Sequence, residues 1–186
     1  MSEEYYSCWC DEDCFPKTKS RNESRDCCTW DGVTCDLLNG HVIRLDLSCS
    51  LLRGSIHPNS SVFQLHHLHT LNLAYNDFND SSIPHDIGQL TNLRHLNLSE
   101  TYFSGKIPTE ISNLSDLVSL DLSGYGLELD ERTFETMLHN FTNLKLLALP
   151  LDVSFHPNSS LFQLHHLHTL NLHNNNFYSS IPNGIG

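Results

Sequence analysis

Residues 68–73 read L-H-T-L-N-L, and the spacing of the three leucines in this stretch decides the fold of the chain. The same L-x-x-L-x-L spacing recurs in five other places, with Val42 replacing the first leucine in one of them. The six segments are 42–47, 68–73, 93–98, 117–122, 144–149 and 167–172. The last two leucines of each segment alternate with other residues, which is typical of a short β-strand. A single strand of this length cannot bury its own leucines, so the copies must stack against one another.

The distances between these segments indicate the type of stack. Successive segments start 26, 25, 24, 27 and 23 residues apart, which is the spacing of leucine-rich repeats. In such repeats the strands pair in parallel into one curved sheet, and the residues between the leucines face its concave side. Three units also contain an isoleucine–proline pair after the strand, at 83–84, 107–108 and 181–182. This pair resembles the plant-specific class of the repeat, in which a second small strand and a short helix line the convex side.

These patterns predict an α/β solenoid of plant-type leucine-rich repeats, with a parallel β-sheet on the concave face and an N-terminal cysteine cap. We assign residues 1–40 to the cap, with 1–20 irregular. We assign residues 41–186 to about six repeats, of which the last is truncated.

Two local features qualify this regular pattern. Residues 124–143 lack the isoleucine–proline pair, and we expect Phe134 and Leu138 to lie on a helix there. After the strand, an asparagine of this repeat type turns its side chain inward to bind backbone groups, and Asn76 and Asn175 fit that role. The equivalent positions in other repeats are Ser50, Thr101, Tyr125 and Asp152. We therefore expect an interrupted ladder of asparagines.

The composition restricts the classes of partner and the cellular compartment. The chain has 10 Lys and Arg against 22 Asp and Glu, and a formal charge of −12. Such a chain repels phosphate backbones and anionic lipid surfaces, so we expect no nucleic-acid partner. Seven N-x-S/T triplets favour passage through the secretory pathway. The glycosylation sites that they predict are Asn22, Asn59, Asn79, Asn97, Asn113, Asn140 and Asn158.

The cysteines are concentrated at the start of the chain. Six of the seven are Cys8, Cys10, Cys14, Cys27, Cys28 and Cys35. This clustering indicates disulfides in a secreted protein or a metal site in a cytosolic one. The spacing matches no common zinc pattern of the C-x2-C type, so we favour disulfides and expect no metal or other cofactor. The seventh cysteine, Cys49, follows a strand, and we expect an unpaired thiol there.

Residues 22–35 read NESRDCCTWDGVTC and are soon followed by GHVIRLDLSCSLLRGSI. Together these stretches resemble the N-terminal cap and first repeat of plant receptor-like proteins of the tomato leaf-mould resistance type. The resemblance implies a Cys28–Cys35 disulfide and a second bond from Cys27 to an upstream cysteine. It favours Cys14 as that partner, with Cys8 and Cys10 as alternatives. It also implies that Trp30 covers the apolar end of the leucine core.

The resemblance further implies an extracellular or cell-surface receptor that recognises a protein or peptide ligand in plant defence. Signalling would need a co-receptor kinase. Residues 1–10 do not form a signal peptide, and no apolar run is long enough to span a membrane. We therefore expect a truncated receptor of low stability, with a non-functional fragment as one alternative.

One block of sequence occurs twice. Residues 56–73 and 155–172 are identical at 16 of 18 positions, which suggests a recent duplication. This block repeats the histidines His66, His67 and His69 as His165, His166 and His168. Because these histidines flank buried leucines and point outward, they are not expected to converge on a metal ion.

The residues between the strand leucines are the candidates for ligand contact, because solenoids bind extended partners with this face. They are Arg44, Asp46, Thr70, Asn72, Tyr75, His95, Glu100, Ser119, Asp121, Thr169, Asn171 and His173. No pair of acidic residues is placed for general acid–base catalysis, and no nucleophile or phosphate-loop motif is present, so we expect no enzyme activity.

The second alternative to a receptor function is a secreted protein similar to the polygalacturonase inhibitors, which would bind a cell-wall hydrolase.

Overall fold

The computed structural model describes residues 14–22, 24–150 and 167–171, and these form a stack of repeats behind a small cap. The strands are β1 (Val33–Cys35), β2 (Val42–Asp46), β3 (Thr70–Asn72), β4 (His95–Asn97), β5 (Gly105–Lys106), β6 (Ser119–Asp121), β7 (Leu127–Glu128), β8 (Leu146–Ala148) and β9 (Thr169–Asn171). The main sheet has the order β1-β2-β3-β4-β6-β8-β9. Only its β1–β2 pair is antiparallel, and all later pairs are parallel. The predicted solenoid of plant-type leucine-rich repeats is confirmed.

The central leucine of every repeat occupies the same register position in the parallel part of this sheet. The aligned residues are Leu45, Leu71, Leu96, Leu120, Leu147 and Leu170. Leu71, Leu96 and Leu120 are at most 1% exposed because each has a repeat on either side. Burial of a leucine contributes about 1.5–3 kcal/mol relative to exposure, so the column provides much of the hydrophobic stabilisation.

The convex side is formed by short helices and by a second, smaller sheet. The 3-10 helices that follow the cap are Ser61–Gln64, His85–Gln89 and Thr109–Asn113. Pro84 and Pro108 directly precede the last two, since a proline suits a helix start whose first N–H has no helical acceptor. β5 and β7 pair in parallel, as expected for the plant-specific repeat class. The rings of Phe78 and Phe103 stack at 4.5 Å and extend the core toward this side.

The fourth repeat replaces its 3-10 helix with a full α-helix, α1 (Glu131–Asn140). The carboxylate of Asp130 accepts a hydrogen bond from the N–H of Thr133 at 2.9 Å, which satisfies one donor at the helix start. Phe134 and Leu138 lie on the buried face of α1, as the sequence predicted.

The asparagine ladder is interrupted, as expected. Asn76 is buried, and its amide nitrogen donates to the carbonyls of Leu47 at 2.8 Å and Leu73 at 2.7 Å. At the next equivalent position the hydroxyl of Thr101 donates to Leu98 O at 2.7 Å. Tyr125 is 68% exposed and cannot serve in this way. Asn175 and Asp152 lie outside the described residues.

The disulfides of the cap differ in part from those expected. Cys28 and Cys35 are joined, with a Cα–Cα distance of 5.5 Å. The expected Cys14–Cys27 bond is wrong for this structure, because Cys27 carries a half-buried free thiol. The expectation of an unpaired Cys49 is also wrong, because Cys49 is disulfide-bonded. Cys8 and Cys10 also lie outside it.

Several short contacts attach the cap to the first parallel strand. Gly32 has a φ of +77°, and a Cβ added to it would lie 2.0 Å from Asp46 O, so only glycine allows the chains to approach. The ammonium of Lys17 contacts the Asp46 carboxylate at 3.1 Å. Val33 and Val42 pack against the leucine core. Trp30, expected to cover that core, is half-buried, and the guanidinium carbon of Arg21 lies 6.0 Å from its ring centroid.

Candidate binding surface

Two columns of side chains leave the parallel strands on the face opposite the leucine core. The residues of each column are aligned by the strand register. The first column consists of Arg44, Thr70, His95, Ser119, Leu146 and Thr169. The second column consists of Asp46, Asn72, Asn97, Asp121, Ala148 and Asn171. Together we call these columns the concave face.

The polar residues of the second column at the ends of β2, β3, β4 and β6 hold the following turn. In each repeat the side-chain oxygen accepts a hydrogen bond from the backbone N–H two residues later, which is the geometry of an Asx turn. In β4, for example, Asn97 Oδ1 accepts from the N–H of Ser99 at 2.9 Å and from its hydroxyl at 2.8 Å. Three of the four turns share the sequence D/N-L-S, while the turn after β3 reads Asn72-Leu73-Ala74. The hydrogen bonds show that these side chains hold the turns of the fold.

The charged end of the concave face is a cluster of ion pairs within the chain. Asp46 receives Lys17 on one carboxylate oxygen and the guanidinium of Arg44 on the other, at 3.1 and 2.9 Å. Burial tends to raise the pKa of the Asp46 carboxyl, but hydrogen bonds from Ser48, Arg44 and Lys17 outweigh it and bring the pKa to about 2. The carboxylate is therefore paired on both oxygens, while the two cations that face it leave one net positive charge at this end of the concave face.

The middle of the first column is polar and uncharged. His95 Nδ1 and the hydroxyl of Ser119 are 2.8 Å apart. Partial burial lowers the pKa of His95, and the nearby Arg44 and Arg94 lower it further. Below that pKa a proton on His95 would add a third positive charge to this region. At neutral pH, Thr70, His95 and Ser119 offer neutral hydrogen-bonding groups to a ligand.

Two carboxylates interact electrostatically at this edge of the sheet, those of Asp121 at the end of β6 and of Glu100 after β4. Partial burial raises the pKa of Glu100, and the negative charge of Asp121 raises it further. Within 4 Å, no Lys or Arg of the described residues pairs with either carboxylate. Tyr75 occupies the position equivalent to Glu100 in the preceding repeat, and both have the left-handed backbone with φ of 57° and 51°.

Sequence reasoning missed several exposed apolar residues on and beside this face. Leu146 of the first column is 37% exposed, and Tyr102 and Tyr125 in the turns are 57% and 68% exposed. Leu146 could have been found from its place between the leucines of 144–149. The two tyrosines follow the strands, where the regular pattern of leucines gives no signal for the side-chain direction.

The remaining predicted residues are distributed as follows. Thr169 and Asn171 are exposed on β9, and His173 lies outside the described residues. Four predicted glycosylation sites, Asn22, Asn59, Asn79 and Asn113, are exposed. Asn97 and Asn140 are half-buried, and the amide of Asn140 donates to Ser112 O at 3.0 Å. Asn158 lies outside the described part.

Neither a metal site nor a membrane span is indicated by the described residues. The sulfurs of Cys27, Cys28 and Cys35 lie within 4.8 Å of one another, but the Cys28–Cys35 bond removes two of them as metal ligands. Among the repeated histidines, His67 stacks its ring on the ring of His41, with 4.0 Å between the two ring centroids. No helix in the described part combines the length and the apolar character that crossing a membrane requires.

The sequence matches the family model described as Leucine Rich Repeat at residues 67–90, 92–114 and 166–186. Receptor-like protein 6 of Arabidopsis thaliana is 41% identical over 179 residues, covering 92% of this chain and 18% of that protein. Receptor-like protein Cf-9 of Solanum pimpinellifolium is 42% identical over 173 residues, covering 92% of this chain and 20% of that protein. The chain thus spans only 18 to 20% of the length of these relatives.

Solved plant ectodomains share the fold. The ectodomain of the receptor kinase GASSHO1/SCHENGEN3 from Arabidopsis thaliana, in complex with Casparian strip integrity factor 2, has a TM-score of 0.68 at 28% identity. That match covers 87% of this chain and 19% of the ectodomain. The ectodomain of the receptor kinase SOBIR1 from Arabidopsis thaliana has a TM-score of 0.63 at 29% identity, covering 81% of this chain and 83% of that one.

Proposed function

Because the chain belongs to the plant leucine-rich-repeat receptor-like proteins, we propose that it is an extracellular ligand-recognition module in plant defence signalling. It binds a protein or peptide ligand, derived from a pathogen or from the plant itself. It acts at the cell surface by binding and without catalysis, and signals through a co-receptor kinase.

The observation that carries this proposal is the first column of the concave face. Thr70, His95, Ser119 and Leu146 project from adjacent parallel strands and are at least partly exposed. With strands about 4.8 Å apart, the column offers an extended chain a line of three hydrogen-bonding groups followed by one apolar group. Such a line suits a polypeptide segment laid across the strands.

The neighbouring structures support a binding role of this kind. The ectodomain of GASSHO1/SCHENGEN3 was solved in complex with Casparian strip integrity factor 2, so the same fold holds a partner in that protein. The acidic surface and the seven N-x-S/T triplets of this chain agree with an extracellular setting.

The proposal can be tested by capture of a ligand from plant extracellular fluid. The tagged chain is secreted from leaf tissue, incubated with fluid from infected and healthy leaves, and its bound peptides and proteins are identified by mass spectrometry. Thr70→Arg with Ser119→Arg fills the first column with bulk and charge. We expect this double variant to lose a species that the unmodified chain captures.

The matched control places the same two substitutions on the convex side, as Ser82→Arg with Thr109→Arg. Both of these residues are exposed, and the control should retain the captured species. Equal capture by both double variants would contradict a concave binding site. Inhibition of fungal polygalacturonase by the unmodified chain would favour the inhibitor alternative instead.

A further inference from the structure

The cap contains an open cavity that the concave face does not use. Its volume is about 670 Å³, and it is lined by Lys19, Ser20, Arg21, Asn22, Arg25 and Thr29. We call this cavity the cap pocket. A volume of several hundred Å³ is typical of sites for small organic ligands, and it far exceeds that of a single inorganic anion.

The charge of the cap pocket is opposite to that of the chain. It collects Lys19, Arg21 and Arg25 from a total of only 10 Lys and Arg, in a protein with 22 Asp and Glu. Among the described residues, no carboxylate pairs with any of these three cations within 4 Å. Three cations without a paired carboxylate in the described part of the chain favour an anionic ligand with more than one negative group.

The other lining groups add hydrogen-bonding capacity. Asn22 uses its Oδ1 to accept from Ser24, which leaves its amide nitrogen as a donor. Thr29 Oγ1 donates to Asp26 O at 2.7 Å and can still accept a hydrogen bond. The three cations are donors as well, so the lining is rich in donors for ligand oxygens.

This lining distinguishes between possible polyanions. A peptide with acidic or phosphorylated side chains usually adds apolar or aromatic anchors that need an apolar pocket. None of the six lining residues is aliphatic or aromatic. A sugar acid instead presents carboxylates and hydroxyls on every ring, which match cations and amide groups in an open cavity.

We propose that the cap pocket binds an acidic oligosaccharide, a chain of uronic acid residues. The carboxylates of successive rings pair with Arg21, Arg25 and Lys19, and ring hydroxyls bond to Asn22 and Thr29. This site is independent of ligand binding at the concave face. It would attach the cap end of the repeat stack to an acidic polysaccharide matrix.

The test uses the full chain, secreted and purified, and a fluorescently labelled oligogalacturonide as the probe in fluorescence anisotropy. We expect saturable binding that weakens as the salt concentration rises. The fully methyl-esterified oligogalacturonide of the same length is the matched probe, since it keeps the sugar and removes the charge. We expect it not to bind.

The variant Arg21→Gln with Arg25→Gln should weaken binding on the order of tenfold, since it removes two exposed ion pairs with the probe. Lys106→Gln with Arg132→Gln removes the same charge from exposed convex positions and should change affinity by less than about twofold. Because Arg21 contacts Trp30, folding of the first variant is checked by circular dichroism. Lys19→Gln, at an exposed position, gives a second and smaller loss.

A glycan on Asn22 would occupy the cap pocket, so Asn22→Gln is measured beside the unmodified chain and should bind at least as tightly. Equal binding of the charged and esterified probes would overturn the proposal. Equal losses of affinity in the cap-pocket and convex double variants, together with an unchanged affinity for Lys19→Gln, would also overturn it. Binding of poly-glutamate as tightly as oligogalacturonide would overturn the assignment to a sugar acid.

Discussion

Asn76 joins the turn that follows β3 to the turn that follows β2 through both ends of its side chain. Its amide nitrogen donates to three carbonyls, and its Oδ1 accepts from the N–H groups of Ser50 and Leu52 at 3.2 and 2.9 Å. Removing such a side chain leaves buried backbone groups without partners, at a cost of about 1–3 kcal/mol for each group left unpaired. The turn of one repeat therefore depends on a residue of the next.

We expect Asn76→Ala to lower the free energy of unfolding by about 3 kcal/mol or more, measured by urea denaturation. Asn72→Ala is the matched control. Asn72 is half-buried and accepts from the N–H of Ala74 at 3.1 Å, so its loss should cost about 1 kcal/mol. Equal costs for the two variants would contradict a special role for Asn76.

The carboxyl of Asp46 stabilises the fold over a defined pH range. Its pKa is about 2 in the folded protein, against an ordinary value of 3.8, because the contacts with Ser48, Arg44 and Lys17 outweigh burial. The folded chain thus keeps this charge to lower pH than the unfolded chain. The stabilisation is complete above about pH 4 and is lost as the pH falls to about 2.

Between about pH 5 and pH 2, Asp46→Asn should therefore lose about 1 kcal/mol less of its unfolding free energy than the unmodified chain, because solvent screening at this partly exposed site reduces the effect of the pKa shift. The comparison is made by urea denaturation at each pH. Asp121→Asn, which alters the equivalent Asx turn without a nearby Lys or Arg pair, serves as the control. Parallel pH curves for the unmodified chain and Asp46→Asn would contradict the pKa shift.

At the residue scale, the sequence predicted the buried leucines and Asn76, because their positions follow from the repeat period. It did not predict that Cys49 is disulfide-bonded, since the pairing of cysteines depends on which loops meet in space. Nor did it predict the exposed Tyr102 and Tyr125, which lie in turns whose left-handed residues and glycines redirect the chain.

Among the elements, α1 shows how one repeat departs from its neighbours. The equivalent segments at His85–Gln89 and Thr109–Asn113 are single 3-10 turns after proline, whereas α1 has 10 residues and starts at Asp130. The hydrogen bond from the Thr133 N–H lowers the pKa of Asp130, which shows that the charged carboxylate is the form that caps the helix.

We expect Asp130→Ala to destabilise the chain by about 1 kcal/mol, since a capping side chain is lost. Asp130→Asn keeps an oxygen that can accept from Thr133, so most of the stability should return. Both are measured by urea denaturation at neutral pH. A similar loss in the two variants would indicate that charge near the helix start, and not the cap, is what matters.

The sequence predicted these elements to different degrees. The absence of an isoleucine–proline pair in 124–143 correctly predicted a helix containing Phe134 and Leu138. The small sheet of β5 and β7 followed from the plant-type pattern alone. The bounds of the short helices did not follow, because such turns are fixed by packing on the neighbouring repeat more than by local propensity.

Across the whole molecule, each repeat is stabilised by contacts with the repeats next to it. Each parallel strand pairs with its two neighbours, and the central leucines form one column through them. The cap closes the first end through Gly32, Lys17 and the Cys28–Cys35 bond. Solenoids of this kind behave nearly as one-dimensional arrays, in which a destabilising substitution affects the nearest repeats most.

Leu120→Ala tests this view, because Leu120 is fully buried in the middle of the column. We expect a loss of about 3 kcal/mol from the cavity that it leaves. In native-state hydrogen exchange, amide protection should fall most in β4, β6 and β8 and least in β2, which is held by the cap. Leu146→Ala is the matched control, since Leu146 is 37% exposed on the next strand and should cost less than about 1 kcal/mol. A uniform loss of amide protection along the sheet would instead mean that the described repeats unfold as one cooperative unit. A destabilising substitution in any repeat would then destabilise the cap and the concave face to the same extent.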